Sequence, residues 1–164
     1  MSGTSSTRTG IGWDSHRLVA GRPLILGGVE FDGAPLGLDG HSDADVLTHA
    51  VMDALLGAAG LDDIGVHFPD TEGTYEGADS IVLLREVVGL LAADSLRIVH
   101  VDATVLMERP KLGPQRGAIR ESLAQALGLP RAAVNVKAST GEGMGFVGRQ
   151  EGVAALAVAT IEGS

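Results

Sequence analysis

The segment "HSDADVLTHAVMDALLGAAG" changes the period of the chain. Val46, Leu47, Ala50, Val51, Ala54 and Leu55 recur at helical spacing, and Gly60 supplies a stop. Ser42, three residues before Asp45, resembles a capping box with Asp in place of the usual Glu. An amphipathic helix of this kind must bury its apolar stripe against another layer. The segments able to form that layer are strands.

"TGIGWDSHRL" reads as a first strand and "PLILGGVEF" as a second, with glycines marking turns. "DSIVLLREVVGLLAAD" is a second helix with Asp79 as its N-cap. "LRIVHVDATVLM" is a strand in which Ile98, His100, Asp102 and Thr104 alternate with Val99, Val101, Ala103 and Val105. "PQRGAIRESLAQALGL" is a third helix led by a proline, and "AVNVKAS" and "GVAALAVATI" are closing strands. Between the first two helices, "LDDIGVHFPDTEGTYEGAD" is long, acidic and aperiodic, as functional loops often are. The expectation is one α+β domain over 10–164, a mixed sheet covered by helices on one face, after a flexible tail over 1–9. Only 3% of the 164 residues are aromatic while 45% are hydrophobic, so Val, Leu, Ile and Ala must build the core.

Charge and cysteine usage narrow the chemistry. Twelve basic against 21 acidic side chains leave a net charge of −9, with no basic stripe for nucleic acid and no attraction to anionic membranes. No apolar run approaches the length of a membrane span. Cysteine is absent, which removes thiolate nucleophiles and Cys-ligated zinc and fits a reducing, cytoplasmic location. Any metal must use His, Asp and Glu.

Asp14 and His16, two residues apart on the first strand, project to one side. Asp45, His49 and Asp53 lie along one stripe of the first helix. Each set alone reads as solvated polar surface. Together, Asp14, His16 and His49 make a carboxylate and two imidazoles with a fourth position open, the pattern of a catalytic zinc site, although the same donors suit non-haem Fe(II). His41 and Ser42 sit at the mouth of the helix, where a phosphate could bind, or where they are simply an exposed histidine and a cap. "KASTGEGMGFVGR" carries Lys137, Ser139, Thr140, Glu142 and Arg149 among glycines that let backbone approach a ligand. It is not a Walker loop, and a long hairpin connection would look similar. An acidic Glu142 among phosphate-binding elements makes sense with a cation between them, such as magnesium.

"GIGWDSH", "GHSDADVLTHAVMDALLGAAG", "DIGVHFPD", "GADS", "ERPKL" and "VNVKASTGEGMGFVGRQEG" resemble, in order and spacing, the signature blocks of the 2-C-methyl-D-erythritol 2,4-cyclodiphosphate synthase family of the non-mevalonate isoprenoid pathway. The resemblance implies a homotrimer with active sites between subunits and a cytidine-diphosphate-linked substrate that is cyclised with release of CMP. By matching position, Asp14, His16 and His49 would hold zinc, and Glu142 a second divalent ion, Mg or Mn. His41 and Thr140 would be catalytic, polarising phosphate. His41 and Ser42 would contact substrate phosphate. Asp63, Ile64 and Gly65 would meet the methylerythritol portion, with Phe68, Pro69, Asp70, Thr71 and Glu72 lining the same region. From the neighbouring subunit, Met107, Glu108, Arg109, Pro110, Lys111, Leu112 and Gly113, with Ser139, Thr140, Gly141 and Glu142, would form the cytidine and diphosphate pocket. Phe146 and Arg149 would approach the substrate or the trimer's central channel, where an isoprenoid diphosphate is a candidate occupant.

Three positions depart from the family pattern: Gly141 where threonine is common, and Gln150 and Ala44 where glycine is frequent. Ala44 is expected to favour the helix slightly. Two rival readings use the same residues: a metal-dependent phosphohydrolase, and a non-catalytic trimer that binds an isoprenoid diphosphate.

Overall fold

The computed structural model describes residues 6–71 and 73–163. Strand β1 (Ser6–Val19) pairs antiparallel with β7 (Gly152–Gly163) from Ser6 to Arg17, and its last two residues pair with β4 (Gly37–Leu38). On its other side β7 pairs antiparallel with β5 (Leu96–Leu106), and β5 runs parallel to β6 (Val134–Ser139). The sheet order is β4-β1-β7-β5-β6. It is mixed, as expected, and the parallel pair is joined through a crossover helix, α4 (Arg116–Leu127).

Helices α1 (Val46–Ala59), α3 (Ser80–Ala93) and α4 form the second layer. Helix α1 packs on β1, β7 and β5, α3 on α1 and β5, and α4 on β6. Beneath them Val153, Ala155, Ala157, Ala159 and Ile161 alternate along β7, each almost fully buried. Small side chains there bring the helices close.

The closest approach is at β1. A Cβ added to Gly10 would lie 2.1 Å from the Ala54 carbonyl oxygen, and one added to Gly12 would lie 1.8 Å from that of Ala50. Helix α1 therefore rests on bare backbone. Strand alternation continues this helix-facing side through Asp14 and His16, directly toward His49 of α1. The opposite face exposes Ile11 and Trp13, 67% and 51% accessible, with Val158 across from Ile11 in register.

Several expectations are corrected. "PLILGGVEF" is not one strand but a hairpin of β2 (Ile25–Leu26) and β3 (Val29–Glu30), turned at Gly27 and Gly28, whose φ values of 59° and 73° suit a two-residue loop. Ser6–Thr9, expected within the tail, are paired along β1, while residues 1–5 fall outside the described residues. The cap of α1 is Asp45, not Ser42. Its fully buried carboxylate accepts from Thr48 N (3.0 Å), Thr48 Oγ1 (2.8 Å), Gly27 N (2.9 Å) and Gly28 N (2.7 Å). Burial pushes this carboxyl up, and the donated bonds oppose that rise.

Ala44 lies before the helix with φ of 56°, a left-handed conformation that glycine adopts more easily, so alanine there strains the approach rather than favouring the helix. In β5 a bulge between Ile98 and His100 switches the buried parity, from Ile98 to Val101, Ala103 and Val105. The long acidic segment folds locally into α2 (Ile64–His67) and a 3₁₀ turn at Gly73–Tyr75. Pro114 lies within a 3₁₀ turn (Gly113–Gln115) ahead of α4, and α5 (Gly145–Gly148) is a short turn inside the glycine-rich connection. Asp79 caps α3 as expected, accepting from Ile81 N, and Gly60 ends α1 in the left-handed conformation.

Candidate metal centre and substrate cavity

Asp14, His16 and His49 converge. Asp14 Oδ2 lies 2.9 Å from His16 Nε2 and 3.0 Å from His49 Nδ1, and one ligand atom from each residue falls within 4.8 Å of the others. Strand spacing supplies the first two residues. The glycine contact between β1 and α1 supplies the third.

The donor set fits a divalent cation, on the following ground. His16 Nδ1 is 2.6 Å from the Asp39 carbonyl oxygen, which can only accept, so Nδ1 carries the hydrogen. Its Nε2 in a neutral ring is then a lone pair aimed at a carboxylate oxygen. Acceptors that face one another need a positive charge between them, either a proton or a metal ion. Burial would raise the Asp14 carboxyl, but hydrogen bonds with His16 and His49 overrule it and hold it at about 2. Burial would likewise lower His16, yet the Asp14 carboxylate raises it above its ordinary value. The pocket favours positive charge.

A cavity of about 180 Å³ opens on these residues, lined also by His41, Ser42, Met52, Ile64, Gly65, Phe68, Asp70 and Tyr75. His41 buries its Nε2 without a hydrogen-bond partner, an orphan that a ligand oxygen would satisfy. Ser42 Oγ accepts from Ala44 N (3.2 Å). Asp63 caps α2 by accepting from Val66 N (3.1 Å), and Asp53 accepts from Ile64 N (2.9 Å), tying α2 to α1 and so fixing one wall. Burial pushes the Asp53 carboxyl up. Pro69 and Thr71 are not among the lining residues of this cavity, and Glu72 lies outside the described residues.

The remaining expected residues gather elsewhere. Met107, Lys111, Leu112 and Gly113 line a separate cavity of about 330 Å³ with Arg116, Ala138, Ser139 and Thr140 at the ends of β5 and β6. Arg109 and Pro110 line a third with Lys111, Leu18 and Gln150. Glu108 accepts from Gly141 N (2.5 Å), which fastens the two loops together. Gly141 has no room for a side chain, since a Cβ would lie 2.6 Å from Gly148 N. Glu142 is exposed, accepts from Thr140 Oγ1 (3.2 Å), and has no cationic partner in salt-bridge range among the described residues. Phe146 lines a groove with Ser15, His16, Arg17, Glu151 and Gly152, and Arg149 Nε donates to Glu151 (2.9 Å).

Reading the sequence missed four contributors: Asp39, Asp43 and Ser80, which stand behind the histidines, and Tyr75, which meets Phe68 edge-on at 5.5 Å. Asp43 and Ser80 do sit inside the quoted blocks "GHSDAD" and "GADS". The tight His-Ser-Asp-x-Asp cluster was a signal for Asp43 alone.

The pattern of the YgbB family matches residues 7–162. A protein of Symbiobacterium thermophilum named 2-C-methyl-D-erythritol 2,4-cyclodiphosphate synthase is 60% identical over 154 residues, covering 94% of this chain and 98% of that one. The bifunctional IspDF of Campylobacter jejuni superposes with a TM-score of 0.94 at 38% identity, over 98% of this chain and 43% of the longer protein. A 2C-methyl-D-erythritol-2,4-cyclodiphosphate synthase structure in a CDP-bound form superposes with a TM-score of 0.85 at 41% identity, over 93% and 98%.

Proposed function

This chain belongs to the YgbB family, and we propose on that footing that it cyclises 4-diphosphocytidyl-2-C-methyl-D-erythritol 2-phosphate to 2-C-methyl-D-erythritol 2,4-cyclodiphosphate with release of CMP. The observation that carries the reading is the convergence of Asp14, His16 and His49 on one cavity within a chain that matches the synthases almost end to end.

Asp14, His16 and His49 would hold one divalent ion, read here as zinc, and Glu142 a second, magnesium or manganese. Such ions neutralise charge on diphosphate oxygens, which in a dry site is worth several kcal/mol. The chain's own residues do the positioning. An oxygen of the substrate's 2-phosphate forms a bond to the β-phosphorus, the bond from that phosphorus to the α–β bridging oxygen breaks, and CMP departs with the electron pair. The attacking phosphate is already ionised, so no protein nucleophile or base is required. Bringing two anions together is the difficulty, and a held geometry can lower such a barrier by as much as about 7–11 kcal/mol.

His41 and Ser42 would grip phosphate at the mouth of α1, where the orphaned His41 Nε2 awaits a partner. Ile64, Gly65, Phe68 and Asp70 would enclose the methylerythritol portion, with Asp63 holding their helical turn in place. Met107, the Glu108–Gly113 loop and Ser139–Glu142 would seat the cytidine diphosphate, with Thr140 polarising a phosphate oxygen.

We read the active protein as a homotrimer with sites between subunits. The metal-side cavity, about 180 Å³, is below the range of about 300–1,000 Å³ usual for a ligand pocket, and the nucleotide-side cavity shares no lining residue with it. A neighbour's loop would complete it. The exposed stripe of Ile11, Trp13 and Val158 offers an apolar face for that contact. Arg149 and Glu151 would line the central channel, with an isoprenoid diphosphate as candidate occupant. Among the described residues no helix is long and apolar enough to cross a membrane.

Phosphorus NMR of the reaction mixture tests the proposal. A cyclic diphosphate appearing together with CMP is the expected outcome. Linear phosphate fragments would establish hydrolysis, and no turnover would favour a binding module.

A further inference from the structure

We propose that Asp43 and Ser80 are positioning residues for His49, holding its proton on Nε2 so that Nδ1 presents a lone pair toward Asp14. The inference rests on the reading of Asp14, His16 and His49 as metal ligands and deepens it.

The direction of each hydrogen bond follows from what each group can do. Asp43 Oδ1 lies 2.5 Å from Ser80 Oγ, and its Oδ2 lies 2.9 Å from Ser80 N. A carboxylate only accepts, so the single Ser80 hydroxyl hydrogen is committed to Asp43. Ser80 Oγ, 2.9 Å from His49 Nε2, is left to accept. His49 Nε2 is therefore the N–H. A neutral imidazole has one N–H, so Nδ1, 3.0 Å from Asp14 Oδ2, is bare. Ser42 Oγ stands farther from the same nitrogen, at 3.3 Å, and is the weaker of the two acceptors.

His16 receives the matching treatment from the main chain, through the Asp39 carbonyl. Each imidazole thus has an oxygen behind it that fixes which nitrogen faces inward, as metal-ligating histidines usually do. For His49 the oxygen is a fully buried hydroxyl. It stays in place because Ser80 opens α3 beside the cap Asp79, and because two strand-like bonds, Gly77 N to His41 O (2.9 Å) and Asp43 N to Ala78 O (3.2 Å), fasten the two segments together.

The test compares zinc affinity, by competition with a chromophoric chelator, in the unsubstituted protein, Ser80→Ala, Asp43→Asn and the double variant. It adds nitrogen-15 spectra of His49 in the zinc-loaded proteins. Ser80→Ala should weaken zinc by about ten- to a hundredfold, the usual consequence of losing such a partner. Asp43→Asn should weaken it in the same direction, and the double variant should lie within about twofold of Ser80→Ala, because both substitutions cut one chain of bonds.

In the unsubstituted protein His49 should show a protonated Nε2 and a ligating Nδ1. In Ser80→Ala that Nε2 proton should exchange faster with solvent. Should Ser80→Ala not fold, Asp43→Asn and the spectrum of the unsubstituted protein decide alone. Zinc affinities equal across the variants, or ligation through Nε2, would overturn this assignment and leave the functional reading standing. An unsubstituted protein that binds no zinc overturns both.

Discussion

The metal end of the active region and the Thr140–Glu142 turn are built on opposite principles. Asp14, His16 and His49 come from packed elements and are at least half-buried, and the two histidines are oriented by Asp39, Ser80 and Asp43. Glu142 stands on an exposed turn with φ of 52° and is tied mainly to its neighbour Thr140. At one end the three candidate ligands converge within a single chain. The other presents ligands outward, for a site that a second chain would help enclose. On the proposed reading, the buried groups are set before substrate arrives and the exposed turn is set with it.

Five substitutions test that contrast, in order of expected effect. His49→Ala should abolish zinc binding and lower kcat/KM by at least about 10³-fold, measured by metal analysis and CMP release. Retained turnover in a metal-free variant would break the comparison at its strong end. Gly12→Ala should destabilise the protein by about 3 kcal/mol and deplete its zinc, because the new methyl would collide with the Ala50 carbonyl. Denaturant melts and metal content check it together.

Glu142→Gln should cost about 10²-fold in turnover, or about 2.7 kcal/mol, while zinc content stays unchanged. Zinc loss there would mean that the two ends are not separately built. If the protein is the proposed trimer, mixed assemblies of His16→Ala and Glu142→Gln chains should recover part of the activity that each lacks alone.

The smallest effect lies away from both ends. Asp102 accepts from Lys137 Nζ (2.6 Å), and although burial raises its carboxyl, Lys137 and Asn135 together bring it below its ordinary value. A depressed carboxyl stabilises the fold above the unfolded pKa, near 4, and that contribution is lost as pH falls through the folded value. The pair is exposed, so Lys137→Met should cost no more than about 0.5 kcal/mol at pH 7 and nothing in strong acid. Urea melts across that pH range would show it.

Much of this was legible from residue spacing. Asp14 and His16 at alternate strand positions, and the apolar stripe of α1, identify two elements and their facing sides without further help. Gly60 and Asp79 act where local chemistry places them. What escaped depends on contacts distant in sequence. Asp45 displaces Ser42 as the cap because its carboxylate also reaches the backbone of Gly27 and Gly28, a partner that no local pattern announces. The bulge in β5 reverses which side chains face inward, and alternation read along one strand cannot register an extra residue in a pairing. Ser80 behind His49 belongs to this class as well. Its role exists only once two loops are laid side by side. Family resemblance reached further than spacing for the nucleotide loops, whose residues have no periodicity of their own.

Trp13 is the chain's single tryptophan, half-exposed on the apolar sheet face. The protein consequently carries its own optical gauge of association. Its indole emission should lie toward the blue if the proposed trimer covers that face and move toward the red on dilution, without a label.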